Sequence, residues 1–584
     1  MDTKGFGGQY QVIILLSVLA LCWHDPAWGL GEVEPVLSEQ VREHLRSRLE
    51  SGADLQRVLA YGTELHATEA LLQFYGSRDY QPAWSDEVGP VPLVDSLLKL
   101  IGEAEQEGLR PEDYHQNILT VLLHEMHQQQ NLSQRLNPVS LAELDLLLTD
   151  AFFLYGMNLL LGRVNPGTVP VQWDTARRQG ELVPALQRAL ESSQVTEVLS
   201  SFLPLAPGYV RLKQALRRYR SMAQQGGWPQ LPAGPNMQLG DRDRRVIALR
   251  KRLELSEDLG KTTQHDVEVF DEQVERAVRR FQARHGLSVD GVLGPATLAA
   301  LNVSIQHRLQ QIRANLERWR WLPRDLGRRY IVVNTARFTL DVVEDEQNVM
   351  TMRIIVGMPY RDTPVFSSHI TYLVLNPSWN VPVRIAVEDK LPLIRQDPGY
   401  LARNHMKVFQ GWGTEAREID PTTINWSKVS AEKFPYRLRQ IPGPLNALGQ
   451  VKFILPNPFD VYLHDTPSRN LFNRTIRTFS SGCIRVEKPI ELAQYVLRGD
   501  PRWHHESLLA TIGRRREQAI RLPVPMPVHI LYWTAWVEMD GTVHFRDDIY
   551  HRDILVAQAL NTRPPLPQRP PLKEMGTIER GGGE

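Results

Sequence analysis

The sequence predicts a multidomain protein in which a mainly helical N-terminal part is followed by a β-rich domain with flanking helices. Its 584 residues exceed what one hydrophobic core usually serves, and at roughly 100–200 residues per domain three or four domains are expected. Up to about residue 225, apolar residues recur at spacings of three and four, which is typical of amphipathic helices. From residue 329 onward, short runs of β-branched and aromatic residues favour strands.

The composition excludes several classes of protein. Lysine plus arginine number 67 and aspartate plus glutamate also number 67, so the chain lacks the basic excess of a nucleic-acid binder. Hydrophobic residues at 42% and charged residues at 23% exclude a wholly disordered chain or a multi-span membrane protein. The cysteines are Cys22 and Cys483, too few for a disulfide framework or a cysteine-based zinc site. We therefore expect no nucleic-acid partner, no metal and no other cofactor.

The amino terminus has the features of an export signal. Residues 12–23 form an apolar run of twelve, which is shorter than the roughly 20 residues of a membrane-spanning helix and matches the apolar part of a signal peptide. Ala27 and Gly29 supply the small residues that precede a cleavage site. We predict that residues 1–29 are a signal peptide, and an uncleaved membrane anchor is the alternative.

Breaks rich in proline and glycine, and the change of periodicity, divide the remainder into successive units. The predicted units are a helical scaffold domain (35–225), a Gly/Pro-rich linker (226–240), a compact helical domain (241–303), a connecting helix (304–328), a β-rich domain (329–555) with an insertion at about 380–449, and a disordered tail (563–584). The insertion has little clear strand pattern, and a connection of that length is usually functional. We interpret it as a lid over a site, with static decoration as the alternative.

Local signals support the compact helical domain and the connecting helix. Asp290-Gly291 suits a tight turn with positive φ, and Gly294-Pro295 suits the start of a helix. The connecting helix is rich in arginine and tryptophan over residues 318–321. Alternating cations and aromatic rings can form a stacking surface for nucleic acid, but the neutral chain favours an amphipathic helix packed on a neighbouring domain.

A candidate nucleophile lies in the β-rich domain. Cys483 follows Ser481 and Gly482, and small residues let the backbone turn sharply and approach a ligand. His464 ends an apolar strand nineteen residues upstream, and a thiol nucleophile needs an imidazole within reach to become a thiolate. Tyr462 should face the same side of that strand as His464. An inert buried cysteine and a structural histidine are the alternatives that the residue types leave open.

Two sets of motifs resemble known families. The compact helical domain resembles a peptidoglycan-binding domain of type 1 through Ala277-Val278-Arg279-Arg280-Phe281-Gln282, His285-Gly286-Leu287, Asp290-Gly291-Val292-Leu293-Gly294 and Thr297-Leu298. The β-rich domain resembles the YkuD-type L,D-transpeptidase family through Tyr462-Leu463-His464-Asp465-Thr466, Leu471-Phe472, Arg477 and Ser480-Ser481-Gly482-Cys483-Ile484-Arg485. Serine at position 481, where many members have histidine, and the domain order resemble a large multidomain Gram-negative subgroup. The segments 74–84, 376–382 and 443–449 also resemble that subgroup.

The resemblance implies an acyl transfer in two displacements. Cys483 would attack the amide between diaminopimelate and the terminal D-Ala of a tetrapeptide stem, with release of D-Ala. An amine of a second stem would then attack the thioester and give a 3→3 cross-link. His464 is implied as the general base and acid, and the backbone N–H groups of Cys483 and of Gly482 or Ser481 as the oxyanion donors.

The resemblance also implies which side chains line the substrate cleft. Trp379 begins the insertion and Asn376 stands just before it, so both are expected beside the acyl site. The hydroxyl of Tyr462 would assist the oxyanion or the substrate, with a packed cross-strand ring as an equal alternative. Arg485 would pair with a stem carboxylate, and an internal salt bridge is its alternative.

The implied protein is an exported cell-wall enzyme of the periplasm. Its expected partners are tetrapeptide stems as donor and acceptor, and cell-wall synthases are candidate protein partners. The family also implies that a carbapenem would acylate the thiol. An L,D-carboxypeptidase, in which water replaces the acceptor amine, and a non-catalytic wall-binding scaffold protein are the alternatives. Cys483 and His464 together argue against the scaffold alternative, since a structural role needs neither.

Overall fold

The computed structural model describes residues 35–55, 58–169, 173–174, 178–260, 266–411 and 415–562. The predicted signal peptide or anchor (1–29) and the predicted tail (563–584) lie outside the described residues. The predicted fold class is confirmed, because helical domains come first along the chain and a β-rich domain with flanking helices follows.

The scaffold domain is built around one long helix, α5. Its elements are α1 (Leu37–Leu55), β1 (Leu59–Ala60), β2 (Thr63–Glu64), α2 (Thr68–Ser77), α3 (Leu93–Gly102), α4 (Gln116–Asn131), α5 (Pro138–Leu161), β3 (Trp173–Asp174), α6 (Leu182–Ser192), α7 (Val195–Ser200) and α8 (Pro207–Gln224). Asn137 caps α5 by accepting a hydrogen bond from the N–H of Val139 at 2.9 Å. By length and composition α5 could span a membrane, but 89% of its most apolar stretch is buried inside the domain. It therefore forms the core on which the other helices pack.

The compact helical domain contains α9 (Arg245–Leu255), α10 (Glu272–His285) and α11 (Pro295–Leu301). Gly291 has the positive φ that the predicted tight turn requires, at +77°. Leu231 and Met237, from the segment predicted as a linker, are buried in the core of this domain. That segment packs on the domain because its apolar side chains extend a core that three short helices leave small.

The connecting helix α12 (Ile305–Arg320) lies buried between the scaffold domain and the C-terminal domain. Trp319 stacks on Trp533 with ring centroids 4.4 Å apart. Arg318 is 1% exposed and forms an ion pair with Asp553 at 2.5 Å. These aromatic and cationic side chains are used inside the protein, so the nucleic-acid interpretation of this helix is wrong.

The C-terminal domain is a sheet that closes on itself. Its strands are β4 (Arg329–Asn334), β5 (Thr339–Glu344), β6 (Gln347–Gly357), β7 (Val365–Leu375), β8 (Trp379–Asn380), β9 (Met406–Gln410), β10 (Arg417–Ile419), β11 (Tyr436–Gln440), β12 (Val451–Ile454), β13 (Leu463–His464), β14 (Thr478–Ser480), β15 (Ile484–Val486), β16 (Gln518–Leu531), β17 (Ala535–Val537) and β18 (Val543–Phe545). Its helices are α13 (Val383–Ile385), α14 (Leu391–Gln396), α15 (Tyr400–Arg403), α16 (Pro489–Val496), α17 (His505–Gly513) and α18 (Arg552–Asn561). The strand order is β12-β13-β15-β6-β5-β4-β16-β7, and β12 also pairs with β7, which completes a ring around an apolar core. The scaffold strand β3 pairs in parallel with β7 and joins the two domains.

Two parts of this domain differ from the sequence-based expectation. The apolar runs at 528–537 and 542–545, on either side of Met539-Asp540-Gly541, predict a β-hairpin. The observed hairpin is shorter, because residues 528–531 belong to β16 in the ring and only β17 and β18 pair with each other. The insertion has a four-stranded sheet, in the order β10-β9-β11-β8, over a core of its own that includes Trp379 and Leu438. Its strands are two to five residues long, too short for a clear alternating pattern.

The compact helical domain is docked on the β17–β18 hairpin. The ring of His285, at the end of α10, stacks with Phe545 at a centroid distance of 5.7 Å. Arg284 donates to the carbonyl of Val543 at 3.3 Å, and Arg546 donates to the carbonyl of Arg284 at 2.9 Å. Stacked rings and hydrogen bonds in both directions hold this domain against the C-terminal domain.

Candidate active site

The strand register brings the candidate residues to one face of the ring. β13 runs parallel to β15, with His464 opposite Arg485, and antiparallel to β12, with Lys452 opposite His464. Tyr462 precedes His464 by two residues, and Cys483 precedes Arg485 by two residues. Because directly paired residues, and residues two apart on a strand, share a face, all five side chains project to the same side.

The backbone around Cys483 is fixed by local hydrogen bonds. Gly482 has φ +114°, which favours glycine, and its carbonyl accepts from the hydroxyl of Thr363 at 2.8 Å. The hydroxyl of Ser480 donates to the carbonyl of Cys483 at 2.5 Å and accepts from the N–H of Gly482 at 3.2 Å. The Gly482 N–H is thus already engaged, which leaves the N–H groups of Cys483 and Ser481 as the oxyanion candidates.

The thiol of Cys483 is partly exposed and contacts Tyr462. Burial raises the pKa of the thiol, while hydrogen bonds from the backbone and side chain of Tyr462 and the positive charges of Lys452 and Arg485 act in the opposite direction. The carbonyl of Asp460 lies 3.9 Å from the sulfur. A thiol with a raised pKa is protonated at neutral pH, so its reaction as a nucleophile requires a base.

His464 is held as a neutral imidazole. It is 5% exposed, and its Nδ1 lies 2.5 Å from the carbonyl oxygen of Asp465. Burial, reinforced by the charge of Arg485, lowers the pKa of His464 to about 3. The Nδ1–H therefore donates to the carbonyl and Nε2 keeps its lone pair, which is the state that a general base needs. In the described part of the chain the thiol donates to the carbonyl of Asp460 and has no hydrogen bond to His464.

Tyr462 connects the thiol, the imidazole and the insertion. Its hydroxyl lies beside the thiol of Cys483 and the indole of Trp379, and its ring centroid lies 5.6 Å from that of His464. Burial and the neighbouring thiol raise its pKa well above the usual value, so the phenol stays protonated. The ring packs beside that of His464, and assistance of its hydroxyl to the oxyanion or to the substrate stays a prediction.

Asn376 does not take the substrate-side position predicted for it. It is 6% exposed, and its Nδ2 donates to the backbone carbonyls of Thr511 and Arg516, each at 3.2 Å. Its φ of +48° also makes it the turn residue at the end of β7. The prediction that Asn376 contacts the substrate is therefore corrected, because its amide N–H groups donate to carbonyls inside the domain.

The structure adds two residues that the sequence did not single out. Lys452 projects to the same face as Cys483. Arg361, before β7, donates to the hydroxyl of Ser481 at 2.9 Å and pairs with Asp389 at 2.7 Å and Glu388 at 2.5 Å. Arg361 thus ties the insertion to the loop that carries Cys483. Only the long-range pairing of strands and loops identifies these two residues, and no local motif contains them.

Three parts of the chain match known protein families. Family models match a "Scaffold domain" at residues 69–216, a "Putative peptidoglycan binding domain" at 242–301 and an "L,D-transpeptidase catalytic domain" at 328–503. A curated protein of Haemophilus influenzae named "Putative L,D-transpeptidase" is 36% identical over 244 residues, which are 42% of this chain and 48% of that protein. The chain thus spans about half the length of this relative.

Two solved structures also resemble the chain. They are L,D-transpeptidases of Xylanimonas cellulosilytica (16% identical, covering 51% of this chain and 99% of that one, TM-score 0.17) and Stackebrandtia nassauensis (12% identical, 52% and 96%, TM-score 0.19). TM-scores this low carry no argument about the fold. The chain is therefore similar to L,D-transpeptidases over residues 328–503, and its preceding parts match a scaffold domain and a peptidoglycan-binding domain.

Proposed function

We propose that the protein is a cysteine L,D-transpeptidase that forms 3→3 diaminopimelate cross-links in peptidoglycan through a thioester on Cys483. The observation that carries the proposal is the shared face of Cys483, Tyr462 and His464, with the imidazole held neutral and its Nε2 able to accept a proton. A thiol whose pKa is raised by burial needs such a base.

The first half-reaction forms the thioester. His464 accepts the thiol proton of Cys483, and the thiolate attacks the carbonyl of the amide that joins the L-centre of diaminopimelate to D-Ala. The oxyanion accepts hydrogen bonds from the N–H groups of Cys483 and Ser481, a contribution of about 3 kcal/mol for each donor. His464 then protonates the leaving amine and D-Ala departs. The protonated phenol of Tyr462, already in contact with the sulfur, is placed to donate a further hydrogen bond.

The second half-reaction reverses these roles. The amine of a second stem's diaminopimelate approaches the thioester, His464 accepts its proton, and the amine attacks the carbonyl. Collapse of the tetrahedral intermediate breaks the C–S bond and returns the thiolate, which recovers the proton from His464. If water takes the place of the amine, the same steps give an L,D-carboxypeptidase.

Product analysis tests the proposed reaction. Purified protein is incubated with a disaccharide-tetrapeptide, and the products are identified by mass. We expect dimers that have lost one D-Ala per cross-link, because the thioester is captured by an amine. Tripeptides without dimers would establish the carboxypeptidase instead, and unchanged substrate would establish the non-catalytic scaffold. The Cys483→Ala variant is the negative control.

We also propose that the insertion is a lid that favours the amine over water. Three observations support this role: the insertion has a core of its own, Tyr462 packs against that core, and Arg361 forms ion pairs with Glu388 and Asp389. Shielding the thioester from water favours aminolysis over hydrolysis.

Removing the ion pairs that hold the insertion should change the ratio of products more than the rate of thiol acylation. In the double variant Glu388→Gln and Asp389→Asn, Arg361 loses both carboxylate partners, so we expect the ratio of tripeptide to dimer to rise several-fold while thiol acylation survives. Glu418→Gln is the matched control, because Glu418 pairs with Lys407 at 3.0 Å on an exposed part of the same insertion. An unchanged ratio in the double variant would leave the insertion without a role in acceptor choice.

The cellular setting follows from the proposed substrate. Peptidoglycan lies outside the inner membrane, so we propose a periplasmic location, reached by the export signal that residues 1–29 predict. Membrane anchoring, cell-wall synthases as partners and inhibition by carbapenems also stay predictions.

A further inference from the structure

Two cations flank His464 on the active face. Lys452 is directly opposite it on β12, and Arg485 is directly opposite it on β15. The ammonium of Lys452 lies 3.8 Å from the centroid of the Tyr462 ring. The face therefore has two rows, one with Tyr462 and Cys483 and the next with Lys452, His464 and Arg485, about 6–7 Å further along the strands.

Neither cation has an acidic partner. In the part of the chain that the structure describes, Lys452 and Arg485 form no ion pair, and the Nε of Arg485 is buried without a hydrogen bond. Lys452 and Arg485 are partly buried, and cations that are drawn from water without a counter-ion are costly. This uncompensated pair beside the thiol therefore indicates a site for an anion.

We propose that Lys452 and Arg485 together bind the terminal carboxylate of the donor peptide, so that the leaving D-Ala lies beside His464. This inference rests on the proposed function. With the scissile carbonyl at Cys483, the next residue of the stem extends between the two rows, where its carboxylate meets the ammonium of Lys452, which lies over the Tyr462 ring, and the guanidinium of Arg485. The same placement brings the departing amine to the imidazole that protonates it.

The charges around Lys452 also influence the thiol. The groups that face Lys452 are Cys483, Tyr462, His464 and Arg485 on the strands, with the carboxylates of Asp460 and Glu517 acting at longer range. The positive charge of Lys452 lowers the pKa of the Cys483 thiol, so removing it raises that pKa for every substrate alike. The contact between Lys452 and a carboxylate, in contrast, affects only a donor peptide that carries a free carboxylate.

The experiment compares two donors that differ in one group. Acylation of Cys483 is followed by intact-protein mass with a tetrapeptide ending in free D-Ala and with the same peptide ending in D-Ala amide. For Lys452→Met we expect the acylation rate to fall about 10- to 100-fold more with the free acid than with the amide, because one charge-assisted contact is lost. Lys452→Arg should restore the preference for the acid.

Controls separate this inference from the proposed function. Lys488→Met removes an exposed lysine of the same domain and should leave both rates unchanged. Melting curves of each variant check that the fold is retained. If Lys452→Met, or its substitute Lys452→Gln, slows both donors equally, the carboxylate role is overturned while the transpeptidase proposal stands. If the wild type is acylated by neither donor, the proposed function itself fails.

Discussion

Replacing Cys483 by alanine is expected to abolish acyl transfer while the fold persists. The substitution removes the sulfur and its contact with the carbonyl of Asp460, and leaves the backbone bonds of Gly482 and Ser480 in place. We expect the rate of thioester formation to fall by at least about 10³-fold. The free energy of unfolding should change by about 1 kcal/mol, since the side chain is small and partly exposed. Intact-protein mass after incubation with a carbapenem or a tetrapeptide measures thioester formation. Denaturant unfolding curves measure the free energy of unfolding.

The other cysteine of the sequence supplies the control. Cys22→Ala should be acylated as the wild type is, because Cys22 lies in the predicted export segment. An equal adduct on Cys483→Ala would move the nucleophile to another residue and refute the assignment.

His464→Ala is expected to lose both half-reactions. The imidazole accepts the thiol proton in the first and the acceptor's proton in the second, so each should slow by about 10²- to 10⁴-fold. The residual acylation should rise with pH, because without a base the thiolate forms only as pH approaches the raised pKa of the thiol. In the wild type, with the pKa of His464 at about 3, the base is available throughout the neutral range. Single-turnover acylation across pH distinguishes the two profiles.

His464 also makes the free energy of unfolding depend on pH. Its pKa is about 3 in the folded protein, against 6.5 as its ordinary value, so between these values the unfolded chain binds the extra proton. The free energy of unfolding therefore falls as pH drops from 6.5, and His464→Ala should lessen that dependence. The exposed His505 offers the control variant His505→Ala, which should keep wild-type cross-linking and stability. Near-normal cross-linking by His464→Ala would mean that another group is the base.

The sequence predicted those parts of the fold that depend on neighbouring residues. The turn at Gly291 and the start of α11 at Pro295 follow from the conformational preferences of glycine and proline. The closing of the ring by β12 and β7 is different, because it joins segments separated by the whole insertion. No local pattern specifies such a pairing, and the short strands of the insertion were missed for the same reason.

The residues of the candidate site also differ in whether a local sequence motif identifies them. Cys483, His464 and Tyr462 were identified because they lie in one short motif that resembles a family. Lys452 was missed because only the register of β12 against β13 decides which face it takes, and a shift of one residue would turn it away. Asn376 was misassigned for the opposite reason, since its segment resembles substrate-side residues while its amide is bound within the domain.

The docking of α10 on the β17–β18 hairpin bears on how this protein would work on an insoluble polymer. A binding module on a flexible tether only raises the local concentration of its target, and the gain falls with the length of the tether. Here Arg284, His285 and Arg546 fix the module to the hairpin. A glycan strand held by that module would therefore reach the cleft at one distance and one angle. The peptide that is cross-linked would then lie at a fixed distance along the glycan from the point that the module holds.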